Sequence, residues 1–164
     1  MFTGSQWEGS HAPVWPFTLD YVPSVDYCQH GPCPKKQYPG MWEIPVQRWY
    51  GLDGHSCAMP DGCSATGDAE ETLEYLKSNF RRYYNSNRAP FGIFVHARWF
   101  STEHTLDGLD RFLDYLLTLD DVYIVTPSQV VEWMKKPTPL SGINGFEPWS
   151  CQGGANDVWL EAKK

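Results

Sequence analysis

The chain lacks several features that would have settled its class at once. No apolar run approaches the ~20 residues of a membrane-spanning helix. Positive charge is in deficit: 13 Lys and Arg stand against 20 Asp and Glu, giving a formal net charge of −7 and a pI near 5.1. A nucleic-acid binder needs a basic face to meet phosphates, so that balance speaks against DNA or RNA as a partner. Met1 to Ser10 carries neither a basic stretch nor an apolar stretch, so no export leader is legible. Internal repeats and low-complexity tracts are also missing.

What is present is ordinary in bulk. The 164 residues leave room for one domain and a real core, and a hydrophobic fraction of 41% with 20% charged residues suits a globular chain. Aromatics reach 15%, with 8 Trp, a supply that either a large core or a sugar-stacking surface would consume.

The five cysteines point to an oxidising compartment. Cys28 and Cys33 enclose Gln-His-Gly-Pro, and Cys57 and Cys63 enclose Ala-Met-Pro-Asp-Gly, both turn sequences. Short, rigid loops of this kind are expected to be closed by disulfides, Cys28–Cys33 and Cys57–Cys63. Zinc is the competing reading, with its preference for C-x2–4-C pairs; here four and five residues intervene. Cys151 is left over. Exported chemistry, no leader and an orphan cysteine fit a chain whose beginning is missing, with Cys151 paired to the missing part.

Hydrophobic spacing lays out the elements. Phe17, Leu19 and Tyr21 alternate as a short or edge strand, and Trp42 to Trp49 alternates through Ile44 and Val46, with Pro45 favouring an edge. Asp68 is an N-cap with Glu71 three residues on, and Leu73, Leu76, Phe80 and Tyr83 recur at helical spacing. Phe91 to His96 reads as a buried strand. Leu106, Leu109, Leu113, Leu116 and Leu117 mark a second helix, and Val122 to Val125 a further strand. Thr126-Pro127-Ser128-Gln129 then opens a third helix, with Thr as N-cap, Pro at N1 and Gln at N3, before Pro137 stops it. Strands alternating with helices predict an α/β fold with a parallel sheet. Too few strands are visible to cover both edges, so the count suits half of a (β/α) barrel, residues 1–140, followed by a C-terminal tail, 141–164. His96 ends its strand where α/β folds place catalytic groups, and Trp99 follows in the loop.

Several segments together resemble the arthropod type of chitin deacetylase-like protein, in the polysaccharide deacetylase (NodB homology, carbohydrate esterase 4) family. They are Val14-Trp15-Pro16-Phe17-Thr18-Leu19-Asp20-Tyr21, Tyr38-Pro39-Gly40-Met41-Trp42-Glu43-Ile44-Pro45, the loop from Cys57 to Cys63, and Asn87-Arg88-Ala89-Pro90-Phe91-Gly92-Ile93-Phe94-Val95-His96. Residues 121–134 and Phe146-Glu147-Pro148-Trp149-Ser150-Cys151 continue the match, which runs in order over roughly residues 11 to 151. The resemblance implies the C-terminal half of a deformed deacetylase barrel. It also implies a divalent metal, usually zinc, held by one Asp and two His, a second Asp as general base, and a late histidine that protonates the leaving amine of an N-acetylglucosamine unit.

Carried over position by position, only His96 matches, as that late histidine. The Thr-Phe-Asp-Asp and His-x-x-x-His segments are absent: no two of His11, His30, His55, His96 and His104 stand at that spacing. Arg88-Ala89-Pro90 reads as a turn rather than as the family's Arg-x-Pro brace, and the Asp that orients the histidine is expected before Met1. Trp99 is read either as lining a sugar subsite or as packing in the core or loop; Trp15, Trp42, Trp49, Trp133 and Trp149 are assigned to packing. The expectation is a fragment of a metal-dependent chitin N-deacetylase, extracellular, with chitin or its oligomers as partner. The isolated chain is expected to hold no zinc and to be inactive. The other class is a non-catalytic, secreted chitin-binding or structural module.

Overall fold

The computed structural model describes residues 3–4, 13–23, 32–63 and 65–150. The chain divides into two compact units, Met1–Val122 and Tyr123–Lys164.

The first unit is organised by two helices, α1 (Ala69–Tyr84) and α2 (Glu103–Leu117). Asp68 starts α1 as its spacing predicts: the carboxylate accepts from the Glu71 backbone N–H at 2.8 Å, while the Glu71 carboxylate reaches back to the Gly67 N–H at 2.7 Å. Leu76, Phe80 and Tyr83 then fall on one face. Leu76 and Phe80, with Tyr75, meet Phe112 and Leu116 of α2 around Trp49, which is 1% exposed, while Tyr83 packs on Phe91. The helices approach closely because position 108 has no side chain. A Cβ on Gly108 would stand 2.4 Å from the Thr72 Cβ and 2.9 Å from the Ala69 carbonyl oxygen.

The extended segments are shorter than the sequence predicts. Strands β1 (Thr3–Gly4) and β4 (Val46–Gln47) pair in parallel; β2 (Phe17–Thr18) with β3 (Trp42–Glu43), and β5 (Trp49–Tyr50) with β6 (Ser56–Cys57), pair antiparallel. Each covers two residues. Phe91 to His96 and Val122 to Val125 run without ladder hydrogen bonds among the described residues, and those residues form no closed barrel. Mixed helix and strand is therefore what the structure shows; the parallel sheet is not. The reason is physical. Apolar runs report burial, and Phe91, Ile93 and Val122 do pack on the core, but burial does not supply a neighbouring backbone to pair with.

Side-chain amides replace missing ladder partners. Asn79, 1% exposed on α1, donates to the Tyr50 carbonyl and accepts from the Tyr50 N–H, both at 2.9 Å. Gln47 treats Val14 in the same way, at 2.7 and 3.3 Å. Each buried amide thus satisfies one residue's main chain as a strand would. After α1 the chain reverses through Arg88, a non-glycine residue at φ 59, a conformation that costs roughly 1–2 kcal/mol. The guanidinium holds that turn by reaching Asp121 at 2.9 Å and lying 3.8 Å over the Tyr84 ring, while the Tyr84 hydroxyl donates to the same carboxylate at 2.8 Å. The turn itself falls on residues 85–87, just before Arg88-Ala89-Pro90, and Phe91 returns against Phe80 and Tyr83 of α1.

In the second unit α3 (Pro127–Lys135) has the capping box its sequence predicts. The Thr126 hydroxyl accepts from the Gln129 N–H, and the Gln129 side chain accepts from the Thr126 N–H. Trp149 packs on Tyr123 and Phe146, and its indole donates to the Gln129 carbonyl at 2.9 Å.

Candidate functional site

The site is built from two loops of the first unit. One is the turn closed by the Cys57–Cys63 disulfide, with Cα atoms 5.2 Å apart. Inside it Pro60–Gly62 makes a single 3-10 turn, tightened by the Gly62 N–H on the Met59 carbonyl at 2.9 Å. Cys33 is disulfide-bonded too. Cys28 and Cys151 lie outside the described residues, so the expected Cys28–Cys33 pairing does as well.

The other loop delivers His96 at the end of the extended 91–95 segment. The Trp99 N–H closes on the His96 carbonyl at 2.9 Å and starts the 3-10 turn Ala97–Ser101. The two loops meet at Asp61. One oxygen of its carboxylate, Oδ2, accepts the His96 backbone N–H at 3.0 Å and meets His96 Nδ1 at 2.7 Å. The two side chains differ sharply in exposure, 13% for Asp61 and 69% for His96. An ionised carboxylate can only accept, so Nδ1 carries the proton. Anchoring Nδ1 leaves Nε2 on the opposite edge of the ring, toward solvent. Asp61 Oδ1 is buried and has no hydrogen-bond partner among the described residues.

From the sequence, the histidine's orienting Asp is expected before Met1; within the chain, Asp61, 35 residues from His96, contacts Nδ1. The residue reads as turn chemistry, between Pro60 and Gly62, and only the fold shows that its carboxylate faces inward.

Burial opposes ionisation of Asp61 and is the largest single influence on it. The two hydrogen bonds from His96 and the imidazole's charge together outweigh it, so the carboxyl titrates below the ordinary 3.8. Asp121, held by Tyr84 and Arg88, and Asp20, held by Thr18 and the Gly40 N–H, are lowered as well. Glu43 is raised by burial and works the other way. A carboxyl lowered by folding stabilises the fold above its unfolded value and loses that contribution as pH falls through its folded value. Three lowered groups against one raised predict that the urea midpoint holds above about pH 5 and drops below about pH 4. Asp61→Asn should flatten that drop, and an unchanged pH profile in the variant would contradict the assignment.

The other histidines do not build a second centre. His55 Nδ1 lies 3.3 Å from Asp53, but that carboxylate is 42% exposed, where water screens the pair. Among the described residues no three His, Cys, Asp or Glu side chains converge on a point that would hold a metal ion. The described residues therefore do not by themselves make up the Asp and two His of the zinc site that the resemblance implies. Trp99 is half-buried against the core, edge-on to Phe100 at 5.5 Å, with its carbonyl accepting from the Thr105 hydroxyl at 2.6 Å. Of the tryptophans assigned to packing, Trp49 is buried in the core, and Trp133 and Trp149 each spend the indole N–H on a backbone carbonyl. No helix among the described residues is long and apolar enough to cross a membrane.

Comparison with known proteins agrees with the sequence segments that surround this pair. Over 131 residues the chain is 37% identical to chitin deacetylase 8 of Bombyx mori, a match covering 77% of this chain and 34% of that protein. This is a chitin deacetylase-like chain. It is also 37% identical over 154 residues to chitin deacetylase 1 of the same organism, covering 85% of this chain and 28% of that protein. No family model matches. The deacetylase-like chain thus spans about a third or less of the length of these curated relatives.

Proposed function

We propose that this chain is one portion of a chitin N-deacetylase and supplies the acid that releases the amine product. The observation that carries the proposal is the Asp61–His96 pair: a carboxylate only 13% exposed fixes Nδ1 of an exposed imidazole and turns Nε2 outward. Hydrolysis of an N-acetyl group breaks the C–N bond of a tetrahedral adduct, and the departing nitrogen must gain a proton as it leaves. An imidazolium whose charge is stabilised by an ionised Asp61 delivers that proton from Nε2, and Asp61 stays ionised throughout. In this reading the water that attacks the carbonyl and the groups that activate it come from another portion of the enzyme. Trp99, three residues after His96, borders the sugar in this reading. The Cys57–Cys63 disulfide supports an extracellular location.

The test is a chimera in which this chain replaces the matched 131-residue stretch of Bombyx mori chitin deacetylase 8. It is expected to release acetate from chitin oligomers, whereas this chain alone is expected to release none and to bind no zinc by calorimetry. A folded chimera without activity, or acetate release by the chain alone, overturns the reading.

A further inference from the structure

The loop that carries Asp61 is gripped from below by α1. Tyr75, in the middle of that helix and 2% exposed, donates its hydroxyl to the Pro60 carbonyl at 3.0 Å. Pro60 is buried and has no N–H, so its carbonyl is the one main-chain group by which that position can be held. One turn further along the helix, the Asn79 amide holds Tyr50 of β5, which pairs with β6, the strand that ends on Cys57. Asn79 also donates to the Tyr75 carbonyl at 2.9 Å, joining the two grips. The Tyr75 ring is fixed in turn against Trp49, centroids 5.6 Å apart. Burial and the nearby Asp61 charge both push the Tyr75 hydroxyl far above its ordinary range, so it remains a donor.

We propose that Tyr75 is a positioning residue: through its hydrogen bond to Pro60 it sets the 3-10 turn that presents the Asp61 carboxylate to His96. The proposal rests on the proposed role of His96 for its functional meaning, but its geometry can be read without any activity. The route is continuous. Tyr75 fixes the first residue of the turn, Asp61 is the second, and the Asp61 oxygen fixes both the backbone and the ring of His96. The disulfide closes the same turn covalently, so two restraints of different chemistry hold one carboxylate.

A tyrosine that only fills the core would be replaced by phenylalanine with no effect on His96. The experiment uses the full 164-residue chain, labelled with 15N at histidine. The His96 ring nitrogens report which of them is protonated and whether it is hydrogen-bonded. Wild type is expected to show a protonated, bonded Nδ1. Asp61→Asn defines the spectrum of a ring released from its carboxylate. Tyr75→Phe, which keeps the ring and the Trp49 contact, is expected to move His96 most of the way to that released spectrum while the far-ultraviolet circular dichroism stays unchanged. Tyr75→Phe with a wild-type His96 spectrum, against a shifted Asp61→Asn, overturns the proposal and leaves the function untouched. A chimera that fails to deacetylate while Tyr75→Phe still releases His96 overturns the function and leaves the proposal standing. In a Cys57→Ala/Cys63→Ala chain the His96 bond is expected to survive while Tyr75 is present and to be lost when Tyr75→Phe is added. Equal loss with and without Tyr75 contradicts the proposal, even if Tyr75→Phe alone proves too unstable to study.

Discussion

His96→Ala in the chimera is expected to lower acetate release from chitin oligomers by about 10²–10⁴-fold, the range that a positioned general acid contributes. The loss should fall on kcat more than on KM, because the proton is needed only as the C–N bond breaks. Asp61→Asn should lower kcat by less, since Asp61 acts through the imidazole. The ordering follows from the geometry. His96 is the exposed member that can meet substrate, whereas the Asp61 oxygen is spent on the His96 N–H and Nδ1. If Asp61→Asn proved more damaging than His96→Ala, the carboxylate would have to touch substrate itself.

Phe112→Ala is expected to destabilise the chain by about 3–5 kcal/mol, the usual cost of emptying a well-packed aromatic site. Phe112 is fully buried on α2, edge-on to Phe80 of α1 at 5.9 Å and beside Tyr115 at 6.2 Å. Gly108 locks the helices too close to Thr72 and Ala69 for them to shift inward and fill the space. Domains of this size are stable by only about 5–15 kcal/mol, so the variant should lie near the edge of folding. Leu106→Ala, on the same helix but 52% exposed, is the control and should cost no more than about 0.5 kcal/mol. Urea denaturation separates the two. A Phe112→Ala chain as stable as Leu106→Ala would mean that the α1–α2 contact is not the core.

The parts of this fold that were legible in the sequence are those governed by local chemistry. Asp68 with Glu71, and Thr126-Pro127 with Gln129, are caps whose partners lie within four residues, and both formed as read. Leu76, Phe80 and Leu116 declared their buried faces by period alone, whereas Leu106 and Leu117, read into the same stripe of the second helix, are exposed. The parallel sheet expected from the sequence is not seen among the described residues: the apolar runs at 91–95 and 122–125 do not say which backbone lies beside them, and in the second of them Tyr123 and Ile124 are exposed. Short pairings such as Trp49 with Cys57 depend on a register that no residue pattern specifies. The site divides in the same way. His96 stood out at the end of an apolar run. Asp61 did not, because an Asp between Pro and Gly is favoured in a turn for its backbone, and its second use depends on a contact 35 residues away. Asn79 and Tyr75 were read, at most, as positions on a helix; their roles come from what the disulfide loop and β5 present to them.

The most direct measurement compares two substrates of the chimera, an N-acetylated chitin oligomer and an aryl acetate ester. Both lose an acetyl group to water, but a departing amine must be protonated, whereas a phenolate leaves unaided. If His96 is the acid that protonates the leaving group, His96→Ala lowers amide hydrolysis by about 10²–10⁴-fold and ester hydrolysis by no more than about tenfold. Equal losses on the two substrates would contradict the account and assign His96 to binding or to the fold.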